Sequence, residues 1–233
     1  RGYIGNLYHS NNKEKYLKYY EEINSYFKKR ITSNTWNQSV NEFDKLKVEN
    51  NVRKKNYKEA LKMCQFRVKF LSEKLGENNR SYIGACKFYA NTLYKNKNFK
   101  KSLYWYVKAV SIQEKLIDEK DDLSTIAGAY NNLAYHYMKA EPKNHKKIKE
   151  CAKKALDYDD SESIDYYNSL DTYAEVLEFV GEYEESYSFY QKSLSMLKAS
   201  KVDDKKENVL LNNLKSSLVL FNYNKSEALP KIK

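Results

Sequence analysis

Apolar positions along this chain recur every three or four residues, and each such run is closed by a short polar or glycine-containing interruption. In the stretch from Ser169 to Ser200, Leu170, Tyr173, Ala174 and Leu177 stand at i, i+3, i+4 and i+7, which is one face of a helix. Gly181 ends that helix, and a second begins near Tyr183 with its face on Tyr183, Ser186, Tyr190, Ser193 and Leu194. The small residues Ala174, Ser186 and Ser193 fall where two helices must approach closely. Two short antiparallel helices cannot bury both faces alone, so the pattern requires copies on either side.

The copies are present. Residues 3–20 lie without a gap over 89–106: Tyr3, Leu7, Tyr8, Asn12, Lys15, Leu17 and Tyr20 match their counterparts, and Tyr19 faces Trp105. The hairpins are expected at 1–30 (partial), 38–76, 81–117, 123–158, 164–200 and 207–233 (partial), with 31–37 as a connection. The chain therefore begins inside a first helix, and the natural protein is expected to extend further. In the 123–158 hairpin the loop Lys139–His145, with Pro142, is about two residues longer than its neighbours. The small-residue position of each second helix falls at Tyr16, Ala60, Ser102, Ile148, Ser186 and Ala228, spaced 44, 42, 46, 38 and 42 residues apart.

Composition sharpens this picture. Only 6 glycines and 2 prolines occur in 233 residues, which fits long helices and argues against sandwiches or glycine-rich α/β loops. With 23 tyrosines, the phenol ring takes over packing usually given to leucine, its hydroxyl reaching water. Cys64, Cys86 and Cys151 show no metal spacing and are expected as buried thiols in a reducing, cytoplasmic setting. No apolar run approaches the ~18 residues of a membrane span. The net charge of +11 is polarised: residues 1–120 carry +14 and residues 121–200 carry −6.

Leu170, Tyr173–Ala174, Leu177, Gly181, Tyr183, Ser186, Tyr190 and Ser193 stand in the order of a tetratricopeptide repeat, which the hairpin resembles. The period near 42, with Asn-Asn-Leu at 131–133 and again at 212–214, is similar to the long kinesin-light-chain type. The resemblance implies an all-α, right-handed α-solenoid, a single array whose first helices line a concave groove. It also implies a non-catalytic scaffold or sensing module that binds a protein or an extended peptide, without cofactor or metal. Such arrays also serve as the regulatory region of larger effectors such as DNA-binding regulators or peptidases.

The groove positions are Lys87, Asn91, Tyr94 and Lys95; then Asn131, Asn132, Tyr135 and Met138; then Asp171, Glu175 and Glu178; then Asn212. Asparagine both donates and accepts, so Asn91, Asn131, Asn132 and Asn212 suit capture of a peptide backbone, with Tyr94, Tyr135 and Met138 as apolar anchors. Asp171, Glu175 and Glu178 at i, i+4 and i+7 form a carboxylate ridge that favours a basic partner. They lack the loop oxygens of a hard-cation site. The family's two-carboxylate clamp is matched at Lys87, Asn91 and Asn132, but Asn168 and Thr172 stand at its last two positions, which argues against acidic chaperone tails. The basic run 146–154 is expected as a solvated outer face. Basic charge with Tyr16, Tyr19, Tyr20, Trp36 and Trp105 raises nucleic acid as an alternative partner. His9, His136 and His145 have no catalytic or zinc spacing around them.

Overall fold

The computed structural model describes residues 38–118, 123–161, 163, 166–199, 209, 211, 213 and 215–222, with no side-chain description for 38–44 or Lys74. All regular structure among them is helical. The expected 1–30 repeat with His9, Tyr16, Tyr19 and Tyr20, the 31–37 connection with Trp36, and Asn212 and Ala228 of the last expected hairpin lie outside the described residues.

The chain divides into two compact units, 1–75 and 76–233. In the first, α1 (Gln38–Arg53) packs antiparallel on α2 (Tyr57–Leu75). The second holds α3 (Arg80–Lys95), α4 (Phe99–Lys115), α5 (Ser124–Ala140), α6 (His145–Tyr158), α7 (Tyr166–Val180) and α8 (Tyr183–Ala199), followed by helical residues at 209, 211, 213 and 215–222. α3 pairs with α4, α5 with α6, and α7 with α8. Between hairpins, α4 packs on α5, α6 on α7, and α5 on α7. This sequential stacking is an all-α solenoid of paired helices.

The turns repeat as faithfully as the helices. Lys55, Lys97 and Gly181 each follow a first helix with φ of 59°, 61° and 89°. Each is followed by a backbone bond spanning five residues: Asn56 N–H to Asn51 at 2.8 Å, Asn98 N–H to Leu93 at 2.9 Å, Glu182 N–H to Leu177 at 2.8 Å. That is a Schellman closure, which needs a left-handed residue just beyond the helix and turns the chain back at once. The α5–α6 hairpin departs from it. Its helix runs on to Ala140, and the connection is Glu141–Asn144, with the Asn144 side chain accepting the Lys147 N–H at 3.3 Å.

The small positions have two uses. Ala60, Ala90, Ala134, Ala152, Ala155 and Ala174 are fully buried, which lets backbones approach. Where the small residue is serine, its hydroxyl reaches the carbonyl of the paired helix: Ser102 to Ala90 at 2.7 Å, Ser186 to Ala174 at 2.9 Å, Ser193 to Tyr167 at 2.8 Å. Ile148 fills the equivalent place in the α5–α6 hairpin with a branched side chain and no such bond. One apolar cluster runs through three hairpins, from Ala90 and Tyr106 through Leu133 and Ile148 to Val176 and Leu177. Tyr82, Tyr106, Tyr130, Tyr167, Tyr173 and Tyr190 are buried, so tyrosine does replace leucine in the core. All three cysteines are buried and none is in a disulfide; burial pushes the Cys86 thiol up to about 11 and Cys151 up to about 12.

Candidate functional site

Within the second unit, side chains on α3, α5, α7 and the helical residues that follow α8 meet one another from hairpin to hairpin. Asn91 on α3 reaches His136 Nε2 on α5 at 3.2 Å. Asn131 on α5 donates to Ser169 Oγ on α7 at 3.1 Å, and Ser169 donates onward to Asp159 at 2.5 Å. The Tyr135 hydroxyl donates to Glu175 Oε2. Asn213 donates to Asp171 Oδ1 at 3.5 Å. These pairs lie 45, 38, 40 and 42 residues apart, one repeat each.

Several expected groove residues are thus engaged within the fold. Tyr94 stands edge-on to Phe99 and His136, with centroids at 5.3 and 5.1 Å. Met138 packs on the core cluster. Asn131 is half-buried with its Oδ1 lacking a hydrogen bond among the described residues. Lys87 is half-buried and donates to Gln113, and burial lowers its ammonium to about 8. Asn91, Lys95 and Asn132 are exposed; Asn132 donates to the Gly128 carbonyl at 2.7 Å.

The ridge is placed together as its helical spacing requires. Asp171, Glu175 and Glu178 are each half-buried on α7. No lysine, arginine or histidine bonds to any of them among the described residues. Burial first, and the Glu175 charge second, push Asp171 up to about 6 and raise Glu178 as well. One oxygen of Glu178 is buried without a hydrogen-bond donor among the described residues. Tyr135 and Tyr190 are raised chiefly by burial, then by the ridge carboxylates. Among the described residues no group of three or more His, Cys, Asp or Glu is arranged to hold a metal ion.

His136 is the residue whose setting the spacing did not reveal. It is 4 % exposed, its Nδ1 lies 2.8 Å from Ser102 Oγ, and its ring lies 4.2 Å from that of Tyr106. The distance is that of a nucleophile and its base. But Ser102 is fully buried and donates to the Ala90 carbonyl, so its hydroxyl is a structural link. Ser186 does the same, donating to Ala174 and lying 3.2 Å from Ser217 of the following helix. The period alone could have paired these two serines.

The outer face is neutralised. In the run 146–154, Lys147 pairs with Glu150, Lys149 with Glu182, Lys153 with Asp157 and Lys154 with Glu114. Lys154 also crosses the Tyr130 ring at 4.8 Å. Trp105 is packed between Tyr89 and Tyr104, with Lys108 over its ring. Neither a concentrated cationic patch nor an open stacking platform results there.

Paired helices, left-handed hairpin turns, small residues at the crossings and first helices joined from repeat to repeat together define a tetratricopeptide-like repeat fold. Solved structures similar to this chain include repeats of the kinesin-light-chain kind. One is the TPR-like repeats assigned to a kinesin light chain of Podosopora anserina, with TM-score 0.67 and 13% identity over 84% of this chain and 93% of that one. A single-site variant of those repeats gives TM-score 0.67 and 14% identity over 81% and 89%. BtubC (BKLC) from P. vanneervenii gives TM-score 0.68 and 13% identity over 84% and 77%. No protein-family model matches the chain, and no curated protein does. Among the described residues no helix is long and apolar enough to cross a membrane.

Proposed function

We propose that the second unit is a non-catalytic protein-binding module that takes an extended, basic segment of a partner along the side formed by α3, α5 and α7. The observation that supports this most directly is the ridge of Asp171, Glu175 and Glu178, half-buried and without a cation among the described residues. Partly desolvated carboxylates favour a counter-charge, and an incoming ammonium or guanidinium supplies it. Asn91 and Asn132 are both exposed; with the Asn91 oxygen on His136 and the Asn132 amide nitrogen on Gly128, the Asn91 amide nitrogen and the Asn132 oxygen face the partner's backbone, and Lys95 stands one turn beyond Asn91 on α3. Asn131 and Tyr135 act at one remove, by holding α5 against α7. The likeness to kinesin light chain repeats fits a scaffold of this kind, and an attached effector region in a longer protein is compatible with it.

The test is fluorescence anisotropy with a short labelled lysine-containing peptide and its glutamate-containing counterpart. The lysine peptide is expected to bind more tightly and to weaken with salt. The Glu175→Gln, Glu178→Gln double variant is expected to lose about tenfold in affinity, near 1.4 kcal/mol. Equal binding of both peptides, or unchanged affinity in the double variant, would overturn the reading.

A further inference from the structure

The carboxylate ridge has a floor. Two serine links fix how α8 lies against α7: Ser186 donates to the Ala174 carbonyl and Ser193 to the Tyr167 carbonyl. Tyr190 stands between those serines on the same face of α8, and the antiparallel register sets it opposite Leu170 and Asp171. It is 2 % exposed, yet its hydroxyl forms no hydrogen bond among the described residues. Besides its own burial, the groups that act on this hydroxyl are Glu178 first, then Glu175, Asp171 and Tyr135. Above it, Asp171 accepts from Asn213 at 3.5 Å, and one oxygen of Glu175 accepts from Tyr135. Oε2 of Glu178 is buried with no donor among the described residues. A hydroxyl and a carboxylate oxygen, both withdrawn from water and both unpaired, thus lie along one seam. Leaving such groups unpaired is costly, so together they mark a place for a donor. A water molecule could pair both but would leave three carboxylates without a counter-charge; a cation with directed N–H groups answers both needs.

We propose that Glu175, Glu178 and Tyr190 form a guanidinium pocket, and that the basic segment taken by this unit enters it with an arginine rather than a lysine. The inference rests on the docking reading above and narrows it. Glu175 and Glu178 are successive ridge positions, about 4.5 Å apart along the helix axis. That step suits a planar fork with five N–H groups. It can donate to the free oxygen of Glu175, to Oε2 of Glu178 and to the Tyr190 oxygen together, while the Tyr190 hydroxyl donates its own hydrogen to a ridge carboxylate. An ammonium is a compact point charge with three donors and a tightly held water shell. It gives up more hydration on entering a half-buried place and bridges the two carboxylates less well. Among the described residues no group of three acidic, histidine or cysteine side chains is arranged around a metal ion, so the ridge lacks the geometry that would favour one.

The test uses the full chain with two kinds of probe. One short peptide is made with arginine, lysine, citrulline or glutamate at a single position and followed by fluorescence anisotropy. N-acetyl-arginine amide and N-acetyl-lysine amide are followed by the carbon-13 carboxyl signal of Glu178. The arginine peptide is expected to bind about tenfold more tightly than the lysine peptide, and the citrulline peptide, of the same shape without the charge, to bind no better than the glutamate one. Tyr190→Phe keeps the ring and removes the hydroxyl. It is expected to weaken the arginine peptide about fivefold and to leave the lysine peptide unchanged. The Glu178 signal of the natural protein, expected to move saturably with acetyl-arginine amide, keeps the inference open to refutation if the variant does not fold. Equal affinity of the arginine and lysine peptides, or a Glu178 signal that acetyl-arginine amide leaves unmoved, would overturn the pocket. If both of those peptides still bind more tightly than the glutamate one, docking of a basic segment stands without it. If acetyl-arginine amide moves Glu178 and acetyl-lysine amide does not, while the arginine peptide binds no more tightly than the small probe, the pocket stands and docking of an extended segment falls.

Discussion

The sharpest expectation concerns the buried ring of His136. It bridges α3, α4 and α5 through Asn91, Ser102, Tyr94 and Tyr106, none of which offers a negative charge. Ser102 already donates to Ala90, so the neutral imidazole has an oxygen at each nitrogen and donates its one N–H either from Nδ1 to Ser102 or from Nε2 to Asn91; no carboxylate rewards a second proton. Burial accordingly lowers His136 from its ordinary 6.5 to about 4. The unfolded chain takes up this proton before the folded one does. Stability is therefore intact above about 6.5, falls as pH drops below it, and reaches its full loss below about 4. At pH 4.5 the loss from this one site is about 2–3 kcal/mol, against almost none at pH 7. For a unit of this size that is roughly 5–10 °C in thermal midpoint. The perturbation is His136→Gln, which removes the titration while retaining polar atoms. Denaturant unfolding of both proteins at the two pH values gives the measurement. The variant is expected to be less stable at pH 7, where the ring packing is lost, and to recover about 2–3 kcal/mol relative to the natural protein at pH 4.5. A stability gap that is the same at both pH values would refute the reasoning.

Three further substitutions probe the architecture. Lys97→Gly is expected to stabilise the second unit by about 1 kcal/mol, because a lysine there holds a left-handed φ of 61° that glycine adopts without strain; a thermal midpoint that falls would contradict it. Ser186→Ala should cost about 1–2 kcal/mol in urea unfolding, since the Ala174 carbonyl and the Ser217 hydroxyl would both lose a buried partner. Leu177→Ala, at a fully buried site in the cluster shared by three hairpins, should cost about 3 kcal/mol or more, and a loss under 1 kcal/mol would mean that the core collapses around the gap.

The hairpins were legible because burial leaves a period. Leu170, Tyr173, Ala174 and Leu177 are all buried where the spacing put them, and Gly181 carries the positive φ expected of a helix-ending glycine. The turns at Lys55 and Lys97 were not legible. A left-handed lysine looks like any exposed lysine in sequence, and only the 42 residues from Lys55 to Lys97 and the 84 from Lys97 to Gly181 betray the pair. The ridge was readable because three carboxylates at i, i+4 and i+7 must share a face. What they touch was not, because contacts between first helices depend on how each helix is rotated and on loop length. The joining pairs accordingly lie anywhere from 38 to 45 residues apart, so no fixed offset predicts them. Spacing places Tyr94, Tyr135 and Met138 on the groove side without giving their contacts: Tyr94 also meets Phe99 and His136, Tyr135 also meets Glu175, and Met138 packs on the core cluster.

His136 is lowered by burial, so acid weakens the junction that its ring makes between α3, α4 and α5. In stacked repeats each hairpin leans only on its neighbours, so a local term is not averaged over the molecule. Acidification is then expected to loosen the α3–α5 junction before the hairpin of α7 and α8, and amide exchange followed helix by helix would show it as faster opening confined to the first two hairpins of the second unit. Uniform acceleration in every helix would mean that the unit opens as a whole.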